Sequence, residues 1–274
     1  MSTLIRLKKI MVIPDVHGRI FWKEPVKKYM DEVDRIVFLG DYLDPYEDED
    51  GLADDIYQNL MEIIALKQEN MEKVVLLKGN HDQHYASERF EELAGGTRMD
   101  KQNLPKYHQA FTNYKDMFQI AHFEIIKGMP YVFSHAGLTL YWLKKVNENL
   151  WNLFDNKISV ADPAIIERIN LLDDDGYGQE MLSVIGRYRS WFGEKTGSVL
   201  WADIEEHTIP DAPNAYGLNK VFQVFGHTKL DKGYDMFELD NLAMIDSRQC
   251  FMIDERIKER IIAIKEYKND GNIK

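Results

Sequence analysis

Short runs of β-branched and aliphatic residues, each stopping at Gly, Asp, Asn or His, recur through the first third of the chain with amphipathic segments between them. Lys9 to Pro14 ends at Asp15, Arg35 to Leu39 ends at Gly40 and Asp41, and Lys73 to Leu77 ends at Gly79 and Asn80. Trp22 to Asp31 and Asp54 to Gln68 carry helical spacing. Strands alternating with helices require a parallel sheet covered by those helices, and such sheets bind ligands outside the carboxyl ends of their strands. The polar residues that end each run therefore stand where a site would be.

Beyond this β-α-β-α-β opening the pattern changes. Leu104 to Phe118 reads as a helix, and Phe123 to Ile126 with Tyr131 to Ser134 as paired strands ending at His135, which adds antiparallel members to the sheet. Leu140 to Gly193 has helical apolar spacing and many aromatics (Trp142, Trp151, Phe154, Tyr188, Trp191), interrupted by Asp173-Asp174-Asp175-Gly176. It reads as a helical cap insertion at about residues 140–193. Strand-like runs return at Ser198 to Trp201, Val221 to Phe225, Asp235 to Leu239 and Leu242 to Ile245. Asp254 to Lys268, with Ile257, Ile261, Ile262 and Ile264 on one face, reads as a closing helix packed on its own domain. Without repeats or a Pro/Ser linker, residues 1–274 are expected to form a single α/β domain with that insertion.

The 274 residues are 45% hydrophobic, enough for a substantial core. A formal charge of -12 argues against extended nucleic-acid binding, which needs a surplus of Lys and Arg. The single cysteine, Cys250, excludes an internal disulfide and reads as a packed thiol. The apolar run between Met1 and Ile13 is too short, and too close to Lys8 and Lys9, for a signal peptide, and no stretch is long enough to span a bilayer. Cytoplasmic residence, with no membrane partner, is the expectation.

Five segments, each after an expected strand, belong together: Asp15-Val16-His17-Gly18, Gly40-Asp41-Tyr42-Leu43-Asp44, Gly79-Asn80-His81-Asp82, Ser134-His135-Ala136-Gly137 and Gly226-His227-Thr228. They offer carboxylate, amide oxygen and imidazole, the donors that hard and borderline divalent ions accept. Singly, each is weak, since an Asp-x-His can be a turn. Jointly, they suit a two-metal site. His84, His108, His122 and His207 lack such a setting and are assigned to surface or core.

These motifs, in this order from about Ile10 to Asp246, resemble the calcineurin-like metallophosphoesterase superfamily. The nearest likeness is to its phosphoprotein phosphatase branch, which includes bacterial diadenosine tetraphosphatases. Val199-Leu200-Trp201-Ala202-Asp203 also resembles a Leu-Leu-Trp-Ser-Asp element of that branch. The resemblance implies a β-sandwich of mixed sheets flanked by helices. It implies one metal on Asp15, His17 and a bridging Asp41, and a second on Asp41, Asn80, His135 and His227. Two divalent ions, manganese first with iron or zinc as alternatives, would share a hydroxide that attacks phosphorus. His81 would protonate the leaving group, with Asp44 bonded to its other nitrogen.

One position departs from the pattern. The branch carries an arginine after the second aspartate of its second motif, which binds substrate phosphate, whereas this chain runs Asp44-Pro45-Tyr46. Arg187 and Arg189 are the first candidates to replace it, with Arg248 behind them, although all three also suit ordinary surface arginines. The acidic run Glu47-Asp48-Glu49-Asp50, followed by Asp54-Asp55, would disfavour polyanionic substrates if it overhung the metals, and is otherwise a solvated face. The resemblance thus implies a phosphomonoesterase acting on phosphoproteins or small phosphorylated molecules. Dinucleoside polyphosphate hydrolysis is the alternative, and a metal-bound phosphate-recognition module without catalysis is the alternative of another class.

Overall fold

A computed structural model gives the structure, which describes residues 7–46, 50–87, 98–149, 159–174, 176–208, 215–231 and 235–267. Expectations that fall on Met1 to Arg6, Glu47 to Glu49, Trp151, Phe154, Asp175 and Lys268 lie outside them.

Two sheets stack face to face. In the first, β1 (Lys9–Ile13), β2 (Arg35–Phe38), β3 (Val74–Leu77) and β4 (Phe118–Gln119) run parallel. The second contains β5 (Ala121–Ile126), β6 (Met129–Ser134), β7 (Phe222–Phe225), β8 (Phe237–Leu239) and β9 (Leu242–Met244) in the order β5-β6-β7-β9-β8. Here β6, β7 and β9 are parallel, and β5 and β8 are antiparallel edges. Lys127 and Gly128 join β5 to β6 with both φ positive, at 51 and 75°, as a two-residue hairpin on right-twisted strands requires. The first sheet is completed by β10 (Phe251–Asp254), antiparallel to β1, and β11 (Ile262–Ala263).

Strand periodicity assigns each side chain to a layer. Ile10, Val12, Val37, Val75 and Leu77 meet Phe133, Phe222 and Val224 between the sheets. Met11, Ile13, Ile36, Phe38, Val74 and Leu76 face outward, against α1 (Lys23–Tyr29), α2 (Ile56–Glu69) and, after the short α3 (Asn80–Ala86), α4 (Leu104–Asn113). Burial on both faces explains why these runs are continuously apolar rather than alternating. On the far side, α5 (Leu140–Asn149), α6 (Pro163–Asn170) and α7 (Gly176–Leu182) pack on the outer face of the second sheet through Trp142, Val146, Ile165, Ile169 and Leu182. The result is four layers, helix, sheet, sheet, helix. Among the described residues no helix is long and apolar enough to cross a membrane.

Four local expectations are corrected. Asp254 to Tyr267 is not a helix: Ile257, Ile261 and Ile262 are buried from turns and from β11, because β10 pairs with the open edge of β1 and β-branched residues suit that pairing. Ser198 to Trp201 is a turn, closed by Trp201 N–H to Ser198 O at 3.0 Å, and its Val199 and Leu200 are buried against the helices rather than in a sheet. The helix from Leu104 ends at Asn113, and Phe118 joins β4. Within the expected insertion, helical structure ends at Leu182; residues 183–197 form loops held by the buried Glu206, which accepts from Gly197 N–H at 2.6 Å.

Trp142 is 1% exposed and its indole N–H donates to Met181 O at 2.8 Å, so one side chain ties α5 to α7. Trp142→Ala should lower unfolding free energy by about 3–5 kcal/mol. Denaturant midpoints check this, and a loss under about 1 kcal/mol would show that the outer helices contribute little to the cooperative fold.

Candidate metal centre

Each of the five motifs leaves the carboxyl end of a strand, Asp15 after β1, Asp41 after β2, Asn80 after β3, His135 after β6 and His227 after β7. The parallel strands of both sheets thus point their ends at one edge of the sandwich, and side chains more than two hundred residues apart meet there. His227 N–H donates to both carboxylate oxygens of Asp15, at 3.1 and 3.0 Å. A Cβ on Gly226 would lie 1.9 Å from Asp15 Oδ1, so only glycine permits this approach.

Asp41 is the node. Its Oδ2 stands 3.4 Å from His17 Nε2 and 3.5 Å from His135 Nε2, and its Oδ1 accepts from His81 N–H at 2.9 Å. Asp41 has φ of 52°, and His17, Asp44 and His227 are also left-handed, at 44, 56 and 68°. Such conformations cost about 1–3 kcal/mol each in non-glycine residues and persist only where the surroundings hold them. Here the loops after β1 and β2 are laddered together, with His17 N–H to Asp41 O at 2.6 Å and Gly18 N–H to Tyr42 O at 2.8 Å. Asp82, fully buried, accepts from three backbone N–H groups, of Asp41 at 2.7 Å, Tyr42 at 2.9 Å and Gly79 at 2.8 Å.

Two imidazoles spend one nitrogen on the backbone and aim the other inward. Nδ1–H of His17 donates to Leu43 O at 2.8 Å, and Nδ1–H of His135 to Leu39 O at 2.9 Å. This sets the tautomer that leaves Nε2 as a lone-pair donor, as metal-binding histidines do. Around His135 Nε2 lie Asn80 Oδ1 at 3.0 Å and His227 Nδ1 at 3.1 Å. Burial pushes His17 down to about 3 and His227 well below its usual range, so both rings are neutral at neutral pH. Burial pushes the Asp41 carboxyl up, but His135, His81 and His17 outweigh it and hold Asp41 well below the ordinary range.

The ligand atoms of Asp15, His17 and Asp41 lie within 4.8 Å of one another, as do those of Asp41, His135 and His227. Two sets of converging oxygens and imidazole nitrogens that share one carboxylate fit two cations. The set needs positive charge to offset its mutually repelling lone pairs.

At the edge of these sets His81 Nδ1 is 2.7 Å from Asp44 Oδ2, and Tyr85 OH donates to Asp44 Oδ1. Burial would lower His81, but Asp41 and Asp44 outweigh it and raise its pKa above the ordinary value. The rings of His17 and His81 meet edge to face at 5.1 Å. All eight expected ligand and acid residues therefore come together. His84, assigned to surface or core, is buried with its ring 5.6 Å from His81; its ligand atom also lies within 4.8 Å of those of Asp44 and His81. His207 is partly buried and stacked 4.6 Å from Phe225, and desolvation holds it down to about 4.

Of the arginines, Arg189 is committed to Asp203 Oδ2 at 2.9 Å, Thr228 Oγ1 at 2.7 Å and His227 O at 3.4 Å, so it braces the loop that carries His227. Arg187 lies 5.3 Å from the Tyr188 ring, and Arg248 acts electrostatically on the buried Asp246. Sequence reasoning gave no role to Asp82, Asp246, Arg19, Tyr46 or Arg98. Only Asp82 carried a signal, an acid at the third position of a helix capped by Gly79, where it can reach back to the N-terminal amides.

The chain is similar to known proteins over most of its length. The family profile described as calcineurin-like phosphoesterase matches residues 8–246. Among solved structures, a protein serine/threonine phosphatase from Saccharomyces cerevisiae, described as similar to human phosphatase PP5, is 16% identical with a TM-score of 0.50, covering 93% of this chain and 78% of its own. An archaeal phosphodiesterase is 11% identical with a TM-score of 0.32, covering 93% of this chain and 99% of its own. A metallophosphoesterase from Sphaerobacter thermophilus is 17% identical with a TM-score of 0.31, covering 47% and 46%. No curated protein matches. With the profile spanning most of its length and two ligand sets meeting at Asp41, the chain belongs to the calcineurin-like phosphoesterase family.

Proposed function

We propose that this protein hydrolyses phosphate monoesters, on proteins or small molecules, with two divalent ions of which manganese is the best activator. The observation that carries the reading is the pair of ligand sets sharing Asp41 with the His81–Asp44 couple at their edge. Asp15, His17 and Asp41 would hold one ion, and Asp41, Asn80, His135 and His227 the other. When bound, the ions supply Lewis-acid charge for the phosphoryl oxygens and acidify a water that serves as nucleophile.

The chain's own residues do the rest. Asp82 sets the backbone of Asp41, Tyr42 and Gly79, and so the spacing of Asp41 and Asn80. Asp44, itself held by Tyr85, fixes the His81 ring through Nδ1 and leaves Nε2 to carry a proton to the departing oxygen. This couple supports hydrolysis over phosphate recognition without turnover, which needs no proton donor. A second reading, dinucleoside polyphosphate hydrolysis, draws on Trp191 and Phe192. Both are fully exposed on the loop that Arg189 braces against His227, where a base could stack.

Metal-stripped protein should be inactive and regain turnover with manganese, tested on an aryl phosphomonoester, an aryl phosphodiester and a dinucleoside polyphosphate. Failure on all three with two ions bound would overturn the hydrolytic reading. Asp41→Asn should bind fewer than two ions and lose at least about 100-fold in kcat, measured by metal analysis beside the assay; full stoichiometry and rate would remove Asp41 as the shared ligand. His81→Ala should keep both ions and lose about 10²–10⁴-fold in kcat on an alkyl phosphate. The loss should be much smaller on a nitrophenyl phosphate, whose leaving group departs without a proton. Equal losses on the two would exclude the acid role.

A further inference from the structure

The helix that carries Asn80 and His81 is short. With 7 residues, α3 makes about two turns and cannot hold its own orientation by propensity. On its inner side Asp44 meets both the His81 ring and the Tyr85 hydroxyl, side chains four positions apart on one face. A helix gripped along one face can still roll about its axis. Gln83 follows His81 by two positions, which at 3.6 residues per turn is a rotation of about 200°. Its side chain therefore leaves α3 on the side away from His81. Gln83 is fully buried, its Nε2 donates to Asp173 Oδ1 at 2.8 Å, and its Oε1 meets no partner among the described residues. The aim of Gln83 thus depends on Asp173.

Asp173 ends a single turn of 3-10 helix, Leu171–Asp173, between α6 and α7. Its backbone is fixed, because Gln179 Nε2 donates to Asp173 O at 2.9 Å. Its other carboxylate oxygen, Oδ2, pairs with Nζ of the buried Lys78. One carboxylate on the outer helices consequently grips the residue before Gly79-Asn80-His81-Asp82 and the residue after it. Packing does not duplicate this grip. Lys78, Gln83 and Asp173 border a cavity of about 430 Å³ with Gln119, Asn170 and Gln179, so beside the brace α3 faces open space as well as side chains. Asp82 fixes the start of the helix through Gly79 N–H, and Asp173 stands where it can fix the roll.

We propose that Asp173 is a positioning residue that ties the outer helices to the proton donor, holding α3 at the rotation that aims His81 Nε2 toward the leaving group. The inference rests on the hydrolytic reading for the proton transfer, but not for the brace itself.

Gln83→Met removes the donor to Asp173 with little change of volume and leaves the Lys78–Asp173 pair whole. In the manganese-loaded protein kcat on an alkyl phosphate should fall about 10–100-fold, as small misplacements of a reacting group do. The rate on a nitrophenyl phosphate, the content of two ions and thermal unfolding should stay as in the wild type. In a His81→Ala background the same substitution should cost nothing further, since groups acting as one unit are not additive. Equal losses on the two esters, loss of an ion, or a full additional loss in the His81→Ala background overturns the proposal. Lys78→Met combined with Asp173→Leu removes the buried pair without stranding a charge. It should repeat the result, and decides the matter if Gln83→Met fails to fold. Crystal structures of the wild type and Gln83→Met keep the two readings apart. A His81 ring displaced from Asp44 in a protein that turns over no ester leaves the brace standing and removes hydrolysis, whereas turnover with the ring unmoved does the reverse.

Discussion

The carboxylate of Asp82 holds the turns after β2 and β3 in one place, and the rest of the site depends on it. Burial and the neighbouring Asp41 push its carboxyl well above the ordinary range, while the three backbone N–H groups pull in the opposite direction. Those donors come from two segments, Gly79 on one side and Asp41 with Tyr42 on the other, so a single group fixes how two strand ends approach. Gly40 is part of the same constraint. At φ of 104°, a Cβ there would stand 2.4 Å from Gly79 N, so the two turns can close on each other only without side chains. Asp41 can then sit in a left-handed conformation and present both oxygens, one to His81 N–H and one between His17 and His135.

Around this anchor the electrostatics are divided by depth. His17 and His227 are neutral because burial removes the hydration an imidazolium needs, which suits them to donate lone pairs. His81, beside Asp41 and Asp44, is pushed the other way and suited to hold a proton. The same ring chemistry thus serves two purposes, separated by which carboxylates lie nearby. Arginines brace the shell: Arg19 donates to Asp15 O at 2.7 Å and Val16 O at 2.9 Å, and Arg189 ties the His227 loop to Asp203.

Much of the architecture was legible in the chain because local physics and tertiary structure agree there. The runs at Lys9, Arg35 and Lys73 are apolar on both faces and stop at polar turn residues, and they form the parallel half of the first sheet. Where they disagree, tertiary pairing wins. The isoleucines from Ile257 to Ile264 satisfy a helical spacing, yet β10 and β11 close the edge of the first sheet, since an unpaired edge beside β1 would leave backbone groups unsatisfied. Val199 and Leu200 are apolar because they are buried, and their backbone is nevertheless a turn; apolar runs of four report burial without reporting conformation.

What the sequence by itself determined is the inventory: which carboxylates, amide and imidazoles follow which strands, and which glycines stand beside them, because the periodicity of an α/β sheet sends strand ends to a common edge. The tertiary structure alone decided how that inventory is shared. It brings Asp15 against His227 across 212 positions and gives Asp82 its three donors. Those are through-space relations between loops, set by backbone conformations and close approaches that no local propensity encodes.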